Sequence, residues 1–543
     1  MKISDKLPLI VITLLAIVVV LSPVFVHDTW TSYDSAAHYG RLKAINNQVA
    51  NLQFPPLFDY LSPGSFGYSW NMFYPPLSVY IMMLVKLLSF GTLSDVVQFK
   101  LSVGAMVLIG FASMYYAAKE IFASRECAMY SAVLFVTSGY FLSNAYVRVD
   151  VGELMAMSFI PLLALGLRSL LTGGKHHAFF PFAVALILLS NIPSFIASLI
   201  FITLVLVMHL KITFTRSVML YMLKSVVYVL LATAFFTVPL VYHSMHYDVF
   251  AFNHLGYHYE TMGKLSADLP EIVFGMMSAK GNITPGILIS AGVVVNAIVI
   301  AGLLKRNAIT THTPQNIDIK LLLIALVFIP AATNIFPWYI IPNSVPFFRF
   351  MQFPWRLIMI STPILCLYAG SMLFKSFNNV RVLRYFILVF AVIMAFYPLR
   401  VPLTERVKEI PLNVFNDYMT TKFEKNKGTL TKEEMQVEIL SGEGSVNLSG
   451  YTLGYPVYQY KITSDSALVE LPIMAYKGYN VEVNGQSVEY GDGDRGLMTV
   501  NIAQGSGNVA VEYKKSLTLI PFIVSILFIL IMLISIVKPR KRK

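Results

Sequence analysis

Apolar runs long enough to cross a bilayer recur through the chain, beginning with LPLIVITLLAIVVVLSPVFV at residues 7–26 and ending at 516–537. A helix rises about 1.5 Å per residue, so roughly 20 apolar residues cover a hydrocarbon core of ~30 Å. Further runs lie at about 101–120, 126–147, 154–172, 176–190, 192–210, 218–241, 285–304, 320–341, 355–374 and 382–399. In lipid, only helices and closed barrels satisfy their own backbone polar groups, so this pattern confines the fold to a polytopic helical membrane protein. The first run lacks a clear small-residue cleavage site on its C-terminal side and reads as a retained span.

A formal net charge of +12 looks like a nucleic-acid signal until the basic residues are located. They fall in short loops holding Lys119 and Arg125, Arg168 and Lys175, Lys211 and Arg216, Lys305 and Arg306, and Lys375 to Arg384, and in the tail KPRKRK at 538–543. All of these share one side if the run PLSVYIMMLVKLLSF at 76–90, short and opened by a Pro pair, does not cross. The positive-inside rule then predicts about twelve spans with both termini cytoplasmic, residues 76–92 forming a half-buried juxtamembrane helix. No nucleic-acid partner is expected. Cys127 and Cys366 lie in apolar runs and support neither a disulfide framework nor a Cys metal site.

That parity puts most polar segments on the outer face: the loop 27–100, the turn RVDVGE at 148–153, the Asn191-Ile192-Pro193 break, the loop 242–284, residues 342–356 and residues 400–515. The last of these changes character. ALVELPI, YNVEVNG, QSVEY, LMTVNI and NVAVEY alternate as strands do, and Asn484-Gly485 is a hairpin signal. The expected organisation is a multi-span domain over 1–399, a small extracytoplasmic β-sandwich-like domain over 400–515, and a C-terminal transmembrane helix with a basic cytoplasmic tail over 516–543.

Candidate chemistry clusters in those outer segments. If the stretch around TWTSYDSAAHYGRLKAI is helical, Asp34, His38 and Arg41 fall at i, i+4 and i+7 on one face. Asp34 could accept a proton from an attacking hydroxyl, or could simply complement a helix N-terminus. His38 and Arg41 could orient it or meet an anion, and a hydrogen-bonded structural His is the plainer reading. Arg148, Asp150 and Glu153 follow a span directly and read either as a substrate path or as a structural ion pair. Arg349, Gln352 and Arg356 sit among aromatics in FFRFMQFPWRLI: guanidinium forks suit phosphate oxygens, while Phe347, Phe353 and Trp355 suit an isoprenoid chain or an interfacial belt. His243, His246, Asp248, His254, His258 and Glu260 form a second imidazole- and acid-rich stretch without a recognised ligand spacing. Asp28 is a second acid in the first loop.

The order YDSAAHYGRL, GYSWNMFYPPLSVY, RVDVGELMAMSFIPL, RFMQFPWRLI and LPIMAYKGYNVEVNGQSV resembles the YfhO-like and PTPS-related bacterial membrane proteins, which are similar to the GT-C superfamily of polyprenyl-phosphate-sugar-dependent glycosyltransferases. The resemblance covers essentially the whole chain. It implies inverting transfer, on the outer face of the bacterial cytoplasmic membrane, of a sugar from a polyprenyl phosphate, undecaprenyl phosphate in the first place, to an envelope glycan or polymer such as teichoic acid. It also implies that Asp34 is the catalytic carboxylate of the first external loop, serving as base or acceptor-orienting group. His38, Arg41, Tyr74, Arg148, Asp150, Glu153, Arg349, Gln352 and Arg356 are then candidates for substrate binding. No metal ligand set is expected, although a Mg²⁺ or Mn²⁺ requirement is left open. Relatives often carry His before the mid-chain Pro, where this chain has Asn191. No Gly-rich nucleotide-sugar turn is present. The competing readings are a flippase for a lipid-linked saccharide and a non-catalytic envelope-assembly partner.

Overall fold

The structure is a computed structural model that describes all residues other than 1–6, 31, 63, 247–248, 252–258, 279–285, 305–316, 342–349, 377–379, 411–416, 428–435 and 539–543. Most of the chain is helical, followed by a β-sheet and a last apolar helix. Among the described residues, six helices are long and apolar enough to cross a membrane, and seven if a bent pair counts as one span. Leu7–Phe25, Asp95–Phe122, Val151–Thr172 and Leu519–Val537 follow the apolar runs closely.

Other runs are interrupted, which is why twelve full-length helices are not observed. The run at 126–147 divides into Arg125–Val136, Gly139–Leu142 and a π-helical turn, Ser143–Val147. Arg216–Ala232 and Ala234–His246 bend by 82°. Ser525 of the last helix satisfies the groups freed there, its hydroxyl accepting from Phe235 N at 3.0 Å and donating to Leu231 O at 3.1 Å. A side chain inserted into the backbone ladder is a recognised origin of such a kink. Phe179–Leu188, Ile192–Val207 and Val293–Leu304 are shorter apolar helices.

Leu77–Leu88 has 12 residues, about 18 Å of helix, which falls short of a hydrocarbon core. Ser78, Val79 and Met82 are buried, while Leu84, Leu87, Leu88 and Phe90 are exposed. Backbone bonding holds its first residue to the membrane bundle, with Leu77 N donating to Leu189 O at 2.9 Å.

The strands after residue 437 join one antiparallel, seven-stranded sheet rather than two separate ones. Its axis is the pair Tyr455–Met474 and Leu497–Tyr513, 20 and 17 residues long. At one end this pair is flanked by Gly444–Thr452 on one side and by Tyr479–Val483 with Gln486–Val488 on the other; at the other end it is flanked by Glu438–Ser441 and Tyr490–Asp492. Register shifts between Ile462 and Ser466 and between Leu471 and Met474 separate the two halves. Long strands shared between differently flanked halves explain why the sequence reads as a sandwich. Asn484 and Gly485 both have positive φ, 52° and 78°, and close the Val483–Gln486 pair as a two-residue turn.

The segment between the helices Ser35–Ala50 and Trp70–Phe73 folds onto this sheet. Gln53 Nε2 donates to Gly454 O at 3.1 Å, Met474 N donates to Phe66 O at 2.8 Å, and the Tyr60 and Tyr479 hydroxyls are 3.1 Å apart. Phe58, fully buried, packs against Tyr513 and Tyr479 with ring centroids 4.9 and 5.3 Å away. Thr29–Trp30 pairs antiparallel with Arg406–Val407, so the start of the first loop is also tied to the chain leading into the sheet.

Candidate functional site

Three stretches distant in sequence converge on Arg148. The π-helical turn Ser143–Val147 delivers Arg148, and Val149 then takes φ 60°, a conformation that a β-branched residue adopts only under strain. This reversal lets Asp150 cap the helix Val151–Thr172, its Oδ1 accepting from Glu153 N at 3.0 Å. Asp34 precedes the helix Ser35–Ala50 and is fixed by its own backbone, Asp34 N donating to Arg148 O at 3.1 Å; Ser32 Oγ donates to the same carbonyl at 2.8 Å. Its carboxylate makes no capping bond and is free to reach the guanidinium.

Arg148 meets three carboxylates: Asp34 Oδ2 at 3.3 Å, Asp150 Oδ2 at 2.9 Å and Glu153 Oε2 at 3.0 Å. Arg356 enters from the turn Pro354–Leu357 and shares two of them, Glu153 Oε2 at 3.1 Å and Asp150 Oδ2 at 3.4 Å. Its Nη1 also donates to Met351 O at 3.2 Å and to Gln352 Oε1. Gln352 has φ 67°, so both sides of the cluster carry a non-glycine residue in the left-handed region. Phe353 and Trp355, stacked 5.0 Å apart, lie under the guanidiniums: Arg148 is 5.2 Å from the Trp355 ring centre and Arg356 is 5.1 Å from that of Phe353.

The paired reading of Arg148 with Asp150 and Glu153 therefore holds, within a larger network. Three carboxylates against two guanidiniums leave it one negative charge. Glu153 has a fully buried side chain and Asp150 is 6% exposed, whereas Asp34 is 34% exposed. Asp150 stays below the usual carboxylate range: burial raises its pKa, but Arg148 and Arg356 outweigh that. Asp34 goes the other way. Desolvation lifts its pKa above the ordinary value, and Asp150 adds to this, against the opposing pull of Arg148, Arg356 and Arg41.

His38 and Arg41 do not continue this network as a single helix face. Asp34 stands outside the helix, and His38 is nearly buried, with a pKa lowered to about 3 by desolvation and by Arg41. His38 is thus a neutral imidazole at neutral pH, its Nδ1 3.5 Å from Arg41 Nη1 and its ring edge-on to Tyr74. Arg41 stacks on Tyr74 at 3.8 Å and lies 5.6 Å from the Trp70 ring centre. Among the described residues it has no carboxylate within ion-pair distance. Tyr74 faces Gly152, where a Cβ would stand 2.6 Å from the Tyr74 hydroxyl and 2.7 Å from Ser190 O.

Arg349 lies outside the described residues, as do Asp248, His254 and His258. His243 bonds to the Tyr513 hydroxyl at 2.7 Å and His246 to Tyr242 O, so both have local partners. Asp28 is beside His27 at 3.2 Å. Asn191 caps Ile192–Val207, its Oδ1 accepting from Ser194 N at 3.0 Å and from the Ser194 hydroxyl at 2.9 Å. Two members of the cluster escaped sequence reasoning. Tyr140 donates to Glu153 Oε1, and Asn144 Nδ2 is 3.5 Å from the same oxygen. The available signal was their polarity within an apolar run. Among the described residues no group of three His, Cys, Asp or Glu is placed to hold a metal ion, and the clustered carboxylates face arginines.

No family model matches the chain. A stretch of 152 residues is 26% identical to an uncharacterized protein of Lactococcus lactis subsp. cremoris (strain MG1363), covering 27% of this chain and 24% of that protein. Solved structures similar to the chain include ArnT from Cupriavidus metallidurans bound to undecaprenyl phosphate, at 13% identity and TM-score 0.44, covering 74% of this chain and 71% of that one. The Archaeoglobus fulgidus oligosaccharyltransferase in the apo form is 14% identical with TM-score 0.40, covering 77% of this chain and 57% of that one. The archaeal oligosaccharyltransferase AglB from the same organism, with an inhibitory peptide and a dolichol-phosphate, gives 14% and 0.41, covering 80% and 59%. The chain thus spans less than two thirds of the length of the oligosaccharyltransferase chains, and a quarter of the Lactococcus protein.

Proposed function

We propose that the chain is a GT-C-type membrane glycosyltransferase that moves a sugar from a polyprenyl-phosphate carrier, undecaprenyl phosphate in the first instance, to an envelope glycan or polymer such as teichoic acid. In this reading both termini are cytoplasmic and the cluster around Arg148 faces the outer side of the membrane. The observation that carries it is the asymmetry among the three carboxylates: Asp150 and Glu153 are buried against two arginines, while Asp34 is held at 3.3 Å from Arg148 with a third of its side chain open.

The acceptor hydroxyl oxygen forms a bond to the anomeric carbon as the bond from that carbon to the phosphate oxygen breaks. The electron pair leaves with the polyprenyl phosphate, and the hydroxyl proton passes to Asp34. Attack opposite the leaving group inverts the anomeric centre. The raised pKa of Asp34 moves it in the direction a general base needs. Arg41, stacked on Tyr74 and carrying no carboxylate among the described residues, is the cation available to the departing phosphate. Arg148, already bound by acids, acts by holding Asp34 in place, and Arg356 braces Asp150 and Glu153 beside it.

The test is transfer by the purified protein in nanodiscs, given polyprenyl-phosphate sugar and envelope polymer. Asp34→Asn is expected to lower the rate about 10²- to 10⁴-fold, the usual worth of a positioned base, with its thermal unfolding little changed. Wild-type transfer by that variant sinks the assignment.

A further inference from the structure

A cavity of about 370 Å³ opens at the edge of the sheet, and none of the residues around Arg148 lines it. Its most buried walls are Ile473 and the rings of Tyr458 and Tyr60; Tyr451, half-buried, and Leu448, 48% exposed, stand at its mouth with Gln436 and Asn447. The walls are set by the fold. Gly444–Thr452 shifts register between Leu448 and Gly450, then turns through Leu453 and Gly454, both with positive φ, to return as Tyr455–Met474. Gln53 holds that turn through Gly454 O, and Tyr60 is fixed by its hydroxyl contact with Tyr479 and by stacking on Phe58 with ring centroids 5.8 Å apart. At Gly67 a Cβ would stand 2.6 Å from the Tyr60 ring, so the chain must pass there without a side chain.

The chemistry of this lining selects its occupant. No acidic or basic side chain is among the described residues that line it, so an anionic ligand would lose hydration without gaining a counter-charge. A purely apolar chain would cover the side-chain amides of Gln436 and Asn447 without giving them partners. A neutral sugar ring answers both: its C–H face lies on tyrosine rings while its hydroxyls reach amides at the rim. The size falls within the range of about 300–1,000 Å³ usual for small-molecule sites.

We propose that this cavity binds an uncharged saccharide unit of the acceptor glycan. Its assignment to the acceptor rests on the glycosyltransferase reading above; the saccharide binding itself does not. The polypeptide from Asp34 through Ser35–Ala50 to Tyr60 joins the two sites, which makes the cavity a second point of hold on a polymer whose end lies at Asp34.

The experiment is calorimetric titration of the full-length protein in nanodiscs with neutral trisaccharides of glucose, galactose or N-acetylglucosamine. One of them is expected to bind, Tyr451→Ala to weaken it about tenfold, the equivalent of one aromatic contact, and Tyr451→Phe to bind as wild type does. Asp34→Asn is expected to bind the saccharide unchanged. Absence of binding by all three sugars, or undiminished binding by both Tyr451→Ala and Asn447→Ala, overturns the site. Undiminished transfer by Asp34→Asn overturns the reaction instead and leaves this binding result standing.

Discussion

Arg148 and Asp34 are bound twice over, once through side chains at 3.3 Å and once through backbone, Asp34 N donating to Arg148 O at 3.1 Å. The backbone bond sets where the carboxylate starts, and the ion pair sets where it ends. This double fixation gives a proton acceptor a defined position despite its exposure, and it leads to expectations about pH.

Asp34 must be ionised to accept a proton, so the proposed transfer should fall on acidification through a pKa above the ordinary aspartate value. Arg41 lowers that pKa. Arg41→Gln should therefore move the acid limb of kcat/KM to higher pH, in addition to raising KM for the donor. A profile measured from pH 4 to 8, a window of about four units around ordinary carboxylate and histidine values, checks the sign; a limb moving to lower pH contradicts it.

Glu153 is the buried hinge of both arginines. Glu153→Gln removes one of the two carboxylates they share, while Asp150 and Asp34 still balance both guanidiniums, so the loss should be the ~1.5–3 kcal/mol typical of a hydrogen bond to a charged group. Thermal unfolding in detergent would register this. Arg356→Gln should cost less on this background than in the native chain, because the two residues are coupled; strictly additive losses would mean they are not.

His38 predicts a separate stability effect. Its folded pKa is about 3 and the ordinary value is 6.5, so below about pH 6.5 the unfolded chain takes up a proton that the folded one refuses. Its contribution to stability is complete above that pH and is lost as pH falls toward 3. His38→Gln should flatten the unfolding temperature over this window. A variant with the wild-type slope would place the titration elsewhere.

Gly152 separates the strained turn from Tyr74. Gly152→Ala puts a methyl 2.6 Å from the Tyr74 hydroxyl and 2.7 Å from a backbone carbonyl, and overpacking of this kind costs about 1–3 kcal/mol. A lower unfolding temperature together with slower transfer is expected. Gly152→Ala combined with Tyr74→Phe should regain only part of it, because the Ser190 carbonyl remains.

Periodicity carries local structure, and where structure is local the sequence was legible. Asn484-Gly485 announced its turn, and the run at 76–90, ambiguous by hydropathy and read as a juxtamembrane helix from loop charges, forms the 12-residue helix Leu77–Leu88. Hydropathy is blind to interruptions that keep their apolar composition, so the break before Ser143–Val147 and the bend relieved by Ser525 did not show. The candidate site was legible as a set of residues and not as an arrangement. Helical spacing grouped Asp34 with His38 and Arg41, whereas the fold groups it with Arg148, more than a hundred positions away, because Asp34 precedes the helix that the other two occupy. Tyr140 and Asn144 looked like ordinary members of an apolar run until Glu153 was set beside them.

The helix Ser35–Ala50 has its first end at Arg148 and hands its last end, through Gln53, to the sheet at Gly454. Sixteen residues make it about 24 Å long. It is a strut braced partway by Asn46 against Asp95 and Gln98, and its first end is pinned to Arg148. A load on the sheet therefore reaches Asp34 as strain on the bonds that pin it, without any contact between the two.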